Sequence, residues 1–351
     1  MLTKQIFGEI NSQPIYKFTL TNNNDMSVVL TNFGATIISI NTPDKNGKIA
    51  DVIGGYDTLE SYIEADGYQG AIIGRFGNRI REGKFTLDGV EYNMYVNNGP
   101  NHLHGGKIGY DKRVWQVLST NDSDEPSIKF FLLSKDGEEG YPGNLSITVT
   151  YSLNNEGALS IRYEATTDKK TIVNLTNHTY FNLGGYDSGK IYDHILWLDA
   201  DTYLPTDDTL IPTGELRSVK GTPFDFRLPK KIGRDINLHD KDLVIAGGYD
   251  HCFNFVNGES ESPKLRAKVT HEESGRIMEM YTNQPCVQFY SGNFLGNEKY
   301  PFKNNCCQSK QIAFCLETQH MPDAINHDNF TNVVLNPEEK YDYTTIYKFY
   351  C

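Results

Sequence analysis

Period two dominates the chain. Leu145, Ile147, Val149 and Tyr151 alternate with Ser146, Thr148, Thr150 and Ser152, as on a strand with one buried face. Leu159-Ser160-Ile161-Arg162-Tyr163-Glu164 alternates again, across a loop containing Asn154, Asn155 and Gly157. Together they predict a hairpin. Residues 85–92 predict a second, because Asp88-Gly89 suits the positive φ of a tight primed turn. Residues 28–30, 128–133 and 267–270 read as further strands. Helical patterns are few, and residues 58–65 could form two turns. The absence of long 3.6-period segments argues against a parallel α/β sheet. The expected fold is all-β: a large antiparallel β-sandwich with few short helices. No Pro/Ser-rich linker and no fixed-period repeat divides it, so residues 1–351 read as a single domain.

One segment breaks the pattern. Val173-Asn174-Leu175-Thr176-Asn177-His178-Thr179-Tyr180-Phe181-Asn182-Leu183-Gly184-Gly185 crowds polar groups into what otherwise reads as a strand ending in a turn. Alternation places His178 and Tyr180 on one face, and Asn177 and Thr179 on the other. Such a cluster is expected to line a wet cleft.

Composition narrows the partners. The chain has 22 Tyr and 18 Phe, residues that favour pleated half-buried surfaces. The net charge of −12 and the lack of a Lys/Arg run argue against nucleic acid. No apolar run approaches the roughly 20 residues that span a bilayer, and the N-terminus lacks a signal-peptide core, so no membrane partner is expected. Six cysteines show no paired spacing, and Cys306-Cys307 are adjacent. Free thiols in a reducing, cytoplasmic setting are expected. Asn174-Leu175-Thr176 fits a glycosylation pattern that such a setting would leave unused.

Four more segments carry candidate chemistry. Gly74-Arg75-Phe76-Gly77-Asn78-Arg79-Ile80 sets two arginines beside glycines. Residues 97–106 end His102 and His104 in a flexible turn. Gly247-Gly248-Tyr249-Asp250-His251 places an acid and a histidine after a glycine pair. Gln288-Phe289-Tyr290-Ser291-Gly292-Asn293-Phe294 is followed by a strand in which Glu317 interrupts apolar residues. A carboxylate there must be paired or functional. His102 and His104 would point to one strand face, as in a cupin-type metal site, but no carboxylate follows them, so no metal is expected. No Gly-x-Ser-x-Gly elbow and no phosphate-cradling Gly-x-Gly-x-x-Gly is present. A His, a Glu, an Arg, an Asp and amides suit a neutral sugar, whose hydroxyls both donate and accept.

In these motifs, and in Gly109-Tyr110-Asp111-Lys112-Arg113-Val114-Trp115 and Leu316-Glu317-Thr318-Gln319 with Pro322-Asp323-Ala324, the chain resembles the aldose 1-epimerase family. The likeness runs nearly end to end and is poorest over 297–310. It implies a mutarotase-type sandwich, a cofactor-free isomerase and a small-molecule aldose substrate. By resemblance, His178 is the general acid and Glu317 the general base. His104, rather than His102, falls on the family's second histidine. Arg79, rather than Arg75, matches the substrate-binding arginine, with Asn78 beside it. Asp250 and Gln288 match sugar-binding positions, and Tyr180 shares a face with His178.

The implied reaction exchanges the α and β anomers of free hexoses such as galactose and glucose. Glu317 would take the C1 hydroxyl proton and a protonated His178 would supply the ring oxygen, from opposite sides of the O–C–O unit. Nearby carboxylates are expected to keep that imidazole protonated near neutral pH. Two readings stay open beside it. One is a hexose-6-phosphate 1-epimerase using Arg75, Arg79 and Arg113. The other is a non-catalytic carbohydrate-binding protein. A monomer or weak homodimer is expected.

Overall fold

The computed structural model describes residues 1–296 and 299–351. Asn297 and Glu298, which open the poorly matching stretch 297–310, lie outside the described residues. Strands hold 43% of residues and helices 9%, which settles the class as all-β. The largest sheet has nine strands. Its middle runs Ser127–Ser134, Leu145–Leu153, Ala158–Thr167, Tyr341–Tyr350 and Ile277–Thr282, each antiparallel to the next. An N-terminal five-stranded sheet covers Leu2–Ile10 to Ile49–Asp51. A second five-stranded sheet orders Arg217–Ser218, Ala200–Tyr203, Asp250–Phe255, Cys286–Tyr290 and Cys315–Gln319.

Both expected hairpins form. Leu153 pairs with Leu159, and the Asn154 side chain accepts the N–H groups of Glu156 and Ala158 at 3.0 and 2.9 Å. Asp88 and Gly89 take φ of 50° and 77°, as a primed turn demands. Thr58 caps the helix Leu59–Glu64 by accepting the Ser61 N–H at 3.2 Å. A second helix, Lys241–Ala246, was not expected from periodicity. Asp240 caps its start, and Gly247 at φ 68° ends it.

Alternation drives the core. Leu145, Ile147, Val149, Tyr151 and Leu153 are all sealed from solvent and pack with Leu159, Ile161, Tyr163 and Tyr347. Phe18 and Val28 join them from the N-terminal sheet, and Phe253, Phe289 and Leu316 from the second five-stranded sheet. Each such buried side chain contributes about 1.5–3 kcal/mol. The Tyr347 hydroxyl donates to the Leu316 carbonyl at 2.8 Å, which ties the strand of Glu317 to the large sheet. Among the described residues, no helix is long and apolar enough to cross a membrane. The six cysteines are free.

Arg75 belongs to this framework. It is 1% exposed. Its guanidinium donates to the carbonyls of Pro142 and Gly143 at 2.7 and 3.0 Å, to Thr171 Oγ1 at 3.1 Å and to Ser134 Oγ at 2.8 Å. Removing it strands several buried acceptors. Arg75→Leu is therefore expected to lower the unfolding free energy by roughly 3 kcal/mol in a denaturant titration.

Candidate active site

Three strands set the carboxyl side of a cleft. Glu317 lies mid-strand opposite Gln288, which in turn lies opposite Cys252. Asp250, two residues before Cys252, therefore comes up beside Gln288. The Gln288 Nε2 donates to Asp250 Oδ1 at 2.7 Å. Gly248 lets the chain enter this sheet: at φ 144°, an added Cβ would sit 2.3 Å from Asn293 Oδ1.

The polar segment 173–185 is less regular than expected. Thr176–Asn177 is its only strand among the described residues, paired with Ile72 and Ile73. Its three asparagines serve the backbone and do not line the cleft. Asn174 donates to the carbonyls of Gly77 and His320 and accepts the His320 N–H. Asn177 donates to the Gly70 carbonyl at 2.9 Å, and Asn182 to those of Gly189 and Ile312. These clamps pin the segment from both flanks. His178 and Tyr180 are left facing the cleft.

The opposite wall comes from Arg79–Ile80 paired with His102–Leu103. The two histidines part here, contrary to the shared face that a metal reading required. His102 is a core residue, bonded to the Tyr95 carbonyl and the Tyr141 hydroxyl at 2.7 and 2.6 Å. His104 turns the other way at φ 53°. Its Nδ1 accepts the Asn78 backbone N–H at 3.0 Å, and its own N–H donates to the Asn78 carbonyl at 3.1 Å. A backbone N–H can only donate, so the proton of a neutral His104 ring must sit on Nε2. Gly105 must follow, because a Cβ there would lie 1.8 Å from the Gly74 carbonyl.

The resulting cleft holds about 490 Å³. Asn78, Arg79, His104, His178, Tyr180, Asp250, Gln288 and Glu317, the eight site residues read from the sequence, all line it. His178 Nε2 stands 3.6 Å from Glu317 Oε1. They are neighbours, too close for a sugar ring to pass between, and so not the opposed pair that was expected. Arg79 donates through Nε to Asn98 Oδ1 at 3.1 Å. Glu317 Oε2 and Gln288 Oε1 are buried acceptors without a partner among the described residues.

Sequence reasoning missed several neighbours. Tyr68 stacks on His178 at 5.9 Å between ring centres, and Tyr290 meets it edge-on at 6.2 Å. Tyr180 lies 4.9 Å from the same ring. Cys315 Sγ lies 3.5 Å from His178 Nδ1. Tyr290 stood within a noted motif, but nothing in the sequence marked Tyr68.

Burial dominates the electrostatics. It pushes Glu317 well above the usual carboxyl range, and the nearby Asp250 charge adds to this while Arg79 opposes it. Asp250 is likewise raised by burial, against Arg79 and the Gln288 bond. Burial brings His178 down to about 4. The expected imidazolium at neutral pH is thus corrected for the free protein: desolvation is the largest influence on His178 and favours the neutral ring. Among the cleft-lining residues, Arg79 is the one basic group, beside Asp66, Asp208, Asp250 and Glu317. Arg75 is in the framework, and Arg113 pairs with Glu138 at 2.9 Å. The cluster of cations that a phosphorylated sugar would need is not assembled.

Groups that both give and take protons, without massed positive charge, define a protein that handles neutral carbohydrate. The aldose 1-epimerase family profile matches residues 16–348. Galactose mutarotase of Mus musculus is 46% identical over 99% of this chain and 98% of its own length. Galactose mutarotase of Homo sapiens is 45% identical over the same shares. The crystal structure of an aldose epimerase homologue from C. elegans aligns with TM-score 0.86 and 32% identity, over 95% of this chain and 98% of that one. The chain belongs to the aldose 1-epimerase family.

Donor atoms of His104, His178 and Glu317 lie within 4.8 Å of one another, a set that could hold a metal ion. The hydrogen bonds speak against it. A metal on His104 Nε2 needs its proton moved to Nδ1, where the Asn78 N–H already points. Dialysis against a strong chelator is therefore expected to leave the anomerisation rate within about twofold of the untreated protein, as followed by polarimetry.

Proposed function

We propose that this chain interconverts the α and β anomers of free hexoses, galactose and glucose among them, by acid–base ring opening at His178 and Glu317. The observation that carries the reading is the 3.6 Å approach of His178 Nε2 to Glu317 Oε1 on one cleft wall. Two hydrogen bonds of about 2.8 Å from such neighbours can reach both oxygens on one hemiacetal carbon.

In the free protein the pair holds one proton, on the Glu317 carboxyl. Its transfer to Nε2 makes a carboxylate and an imidazolium side by side. The carboxylate takes the C1 hydroxyl proton, and those electrons form the carbonyl. The C1–O5 bond breaks toward O5, which takes the Nε2 proton. Glu317 is again protonated and His178 neutral. Rotation about C1–C2 exposes the other carbonyl face, and closure reverses the transfers. Arg79, Asp250 and Gln288 hold the remaining hydroxyls, and the Nε2–H of His104 adds a fixed donor. Asn78 presents His104, and Tyr180 packs on His178. The chain works as one domain, without cofactor, as a monomer or weak homodimer. Six free thiols fit the cytoplasm.

General acid–base groups contribute 10²–10⁴-fold each. Glu317→Gln and His178→Asn are each expected to slow anomer exchange by at least ~10²-fold, with unchanged unfolding curves. Exchange NMR on a panel of free and phosphorylated hexoses measures this. Near-wild-type rates in either variant would overturn the assignment, and binding without exchange would mark a carbohydrate-binding protein instead.

The pH dependence follows from burial. As pH falls through about 4, His178 gains a second proton while Glu317 keeps its own, and no base remains. As pH rises past the elevated Glu317 value, the pair loses its single proton and no acid remains. A profile of kcat/KM is expected to have its acid-side fall near 4 and not at the ordinary histidine value near 6.5, and to fall again on the alkaline side as Glu317 loses its proton.

A further inference from the structure

Cys315 precedes Glu317 by two positions on the strand Cys315–Gln319, so both side chains leave the same face. Its sulfur is sealed from solvent and lies 3.5 Å from His178 Nδ1. Nε2 of the same ring lies 3.6 Å from Glu317 Oε1. One strand therefore spans the imidazole, sulfur against one nitrogen and carboxyl against the other. Cys315 is the side chain within hydrogen-bond reach of Nδ1, and the ring also interacts with the His178 backbone. The His178 carbonyl accepts the Gly70 N–H at 2.9 Å, and its backbone N–H donates to the Ala71 carbonyl at 3.0 Å. The main chain is thus fixed by the turn that precedes Ile72–Ile73, and the ring's own torsions are left for its side-chain neighbours to hold.

We propose that Cys315 is a positioning residue for ring opening: its sulfur accepts the Nδ1–H of His178 and keeps the Nε2 lone pair turned toward Glu317 and the sugar. The inference rests on the acid–base reading above. A protonated Glu317 has an O–H to give, and the bare nitrogen of a neutral imidazole is the acceptor that stands nearest. If Nε2 is bare, Nδ1 carries the ring proton. That proton meets the sulfur.

The choice of sulfur has a chemical reason. A carboxylate on Nδ1 would stabilise the imidazolium and make it a poorer acid. Burial pushes the Cys315 thiol well above its usual range, so it stays uncharged. A neutral thiol is a weak acceptor. It orients the ring and leaves the imidazolium ready to release its Nε2 proton to O5.

The test compares Cys315→Ala and Cys315→Ser with the unaltered protein. Imidazole ¹⁵N shifts of His178, recorded without sugar, report which nitrogen holds the proton. The unaltered protein is expected to show a protonated Nδ1 and a bare Nε2. Cys315→Ala is expected to shift toward a mixture of tautomers and to lose roughly tenfold in kcat, with KM within about twofold. Cys315→Ser, which restores an acceptor, is expected to recover most of the loss. A proton on Nε2 in the unaltered protein would overturn the proposal even if neither variant folds. So would an alanine variant with unchanged kcat and tautomer, or a folded serine variant as slow as alanine. An active His178→Asn protein would instead overturn the acid–base reading, and the ¹⁵N result would still stand by itself.

Discussion

Glu317 is a carboxyl group taken almost wholly out of water, at 2% exposure, with one oxygen left unbonded among the described residues. A bare carboxylate in that position is costly, so burial favours the protonated group. The rest of the cleft follows from that constraint. Asp250 and His178 are driven toward their uncharged forms by the same loss of solvent. Arg79 is the one Arg or Lys among the described cleft-lining residues. Apart from Arg79, the buried titratable groups of the site are driven toward their uncharged forms, which suits a ligand made of hydroxyls.

The scaffold earns this arrangement by exhausting its other polar groups. Asn174, Asn177 and Asn182 are spent on carbonyls of three neighbouring segments. Arg75 is spent on loops beneath the cleft wall. The Tyr347–Leu316 bond carries the position of Glu317 back to the main sheet. Glu317 Oε2 and Gln288 Oε1 are among the buried polar atoms left without a partner among the described residues, and both residues line the cleft.

Much of the fold was legible because period two and the Asp88-Gly89 turn are local signals. Helix Lys241–Ala246 was not; Asp240 and Gly247 mark its ends. Glu317 stood out because a carboxylate in an apolar strand has few structural reasons to exist. The segment 173–185 was only half legible. Alternation placed His178 and Tyr180 on one face, and both line the cleft, but the asparagines' bonds go mostly to loop carbonyls far away in sequence. Tyr68 enters through the same long-range packing, which no local pattern encodes. Arg75 and Arg79 look alike in sequence, and resemblance to a family separated them before burial did.

The nearness of His178 and Glu317 also bears on how the protein behaves between events. Two groups that trade one proton back and forth finish each half-reaction as they began it. Nothing must be drawn from the buffer before the next molecule enters. Such a device cannot favour either hand at C1: it shortens the wait for equilibrium and leaves the final ratio of anomers to the sugar.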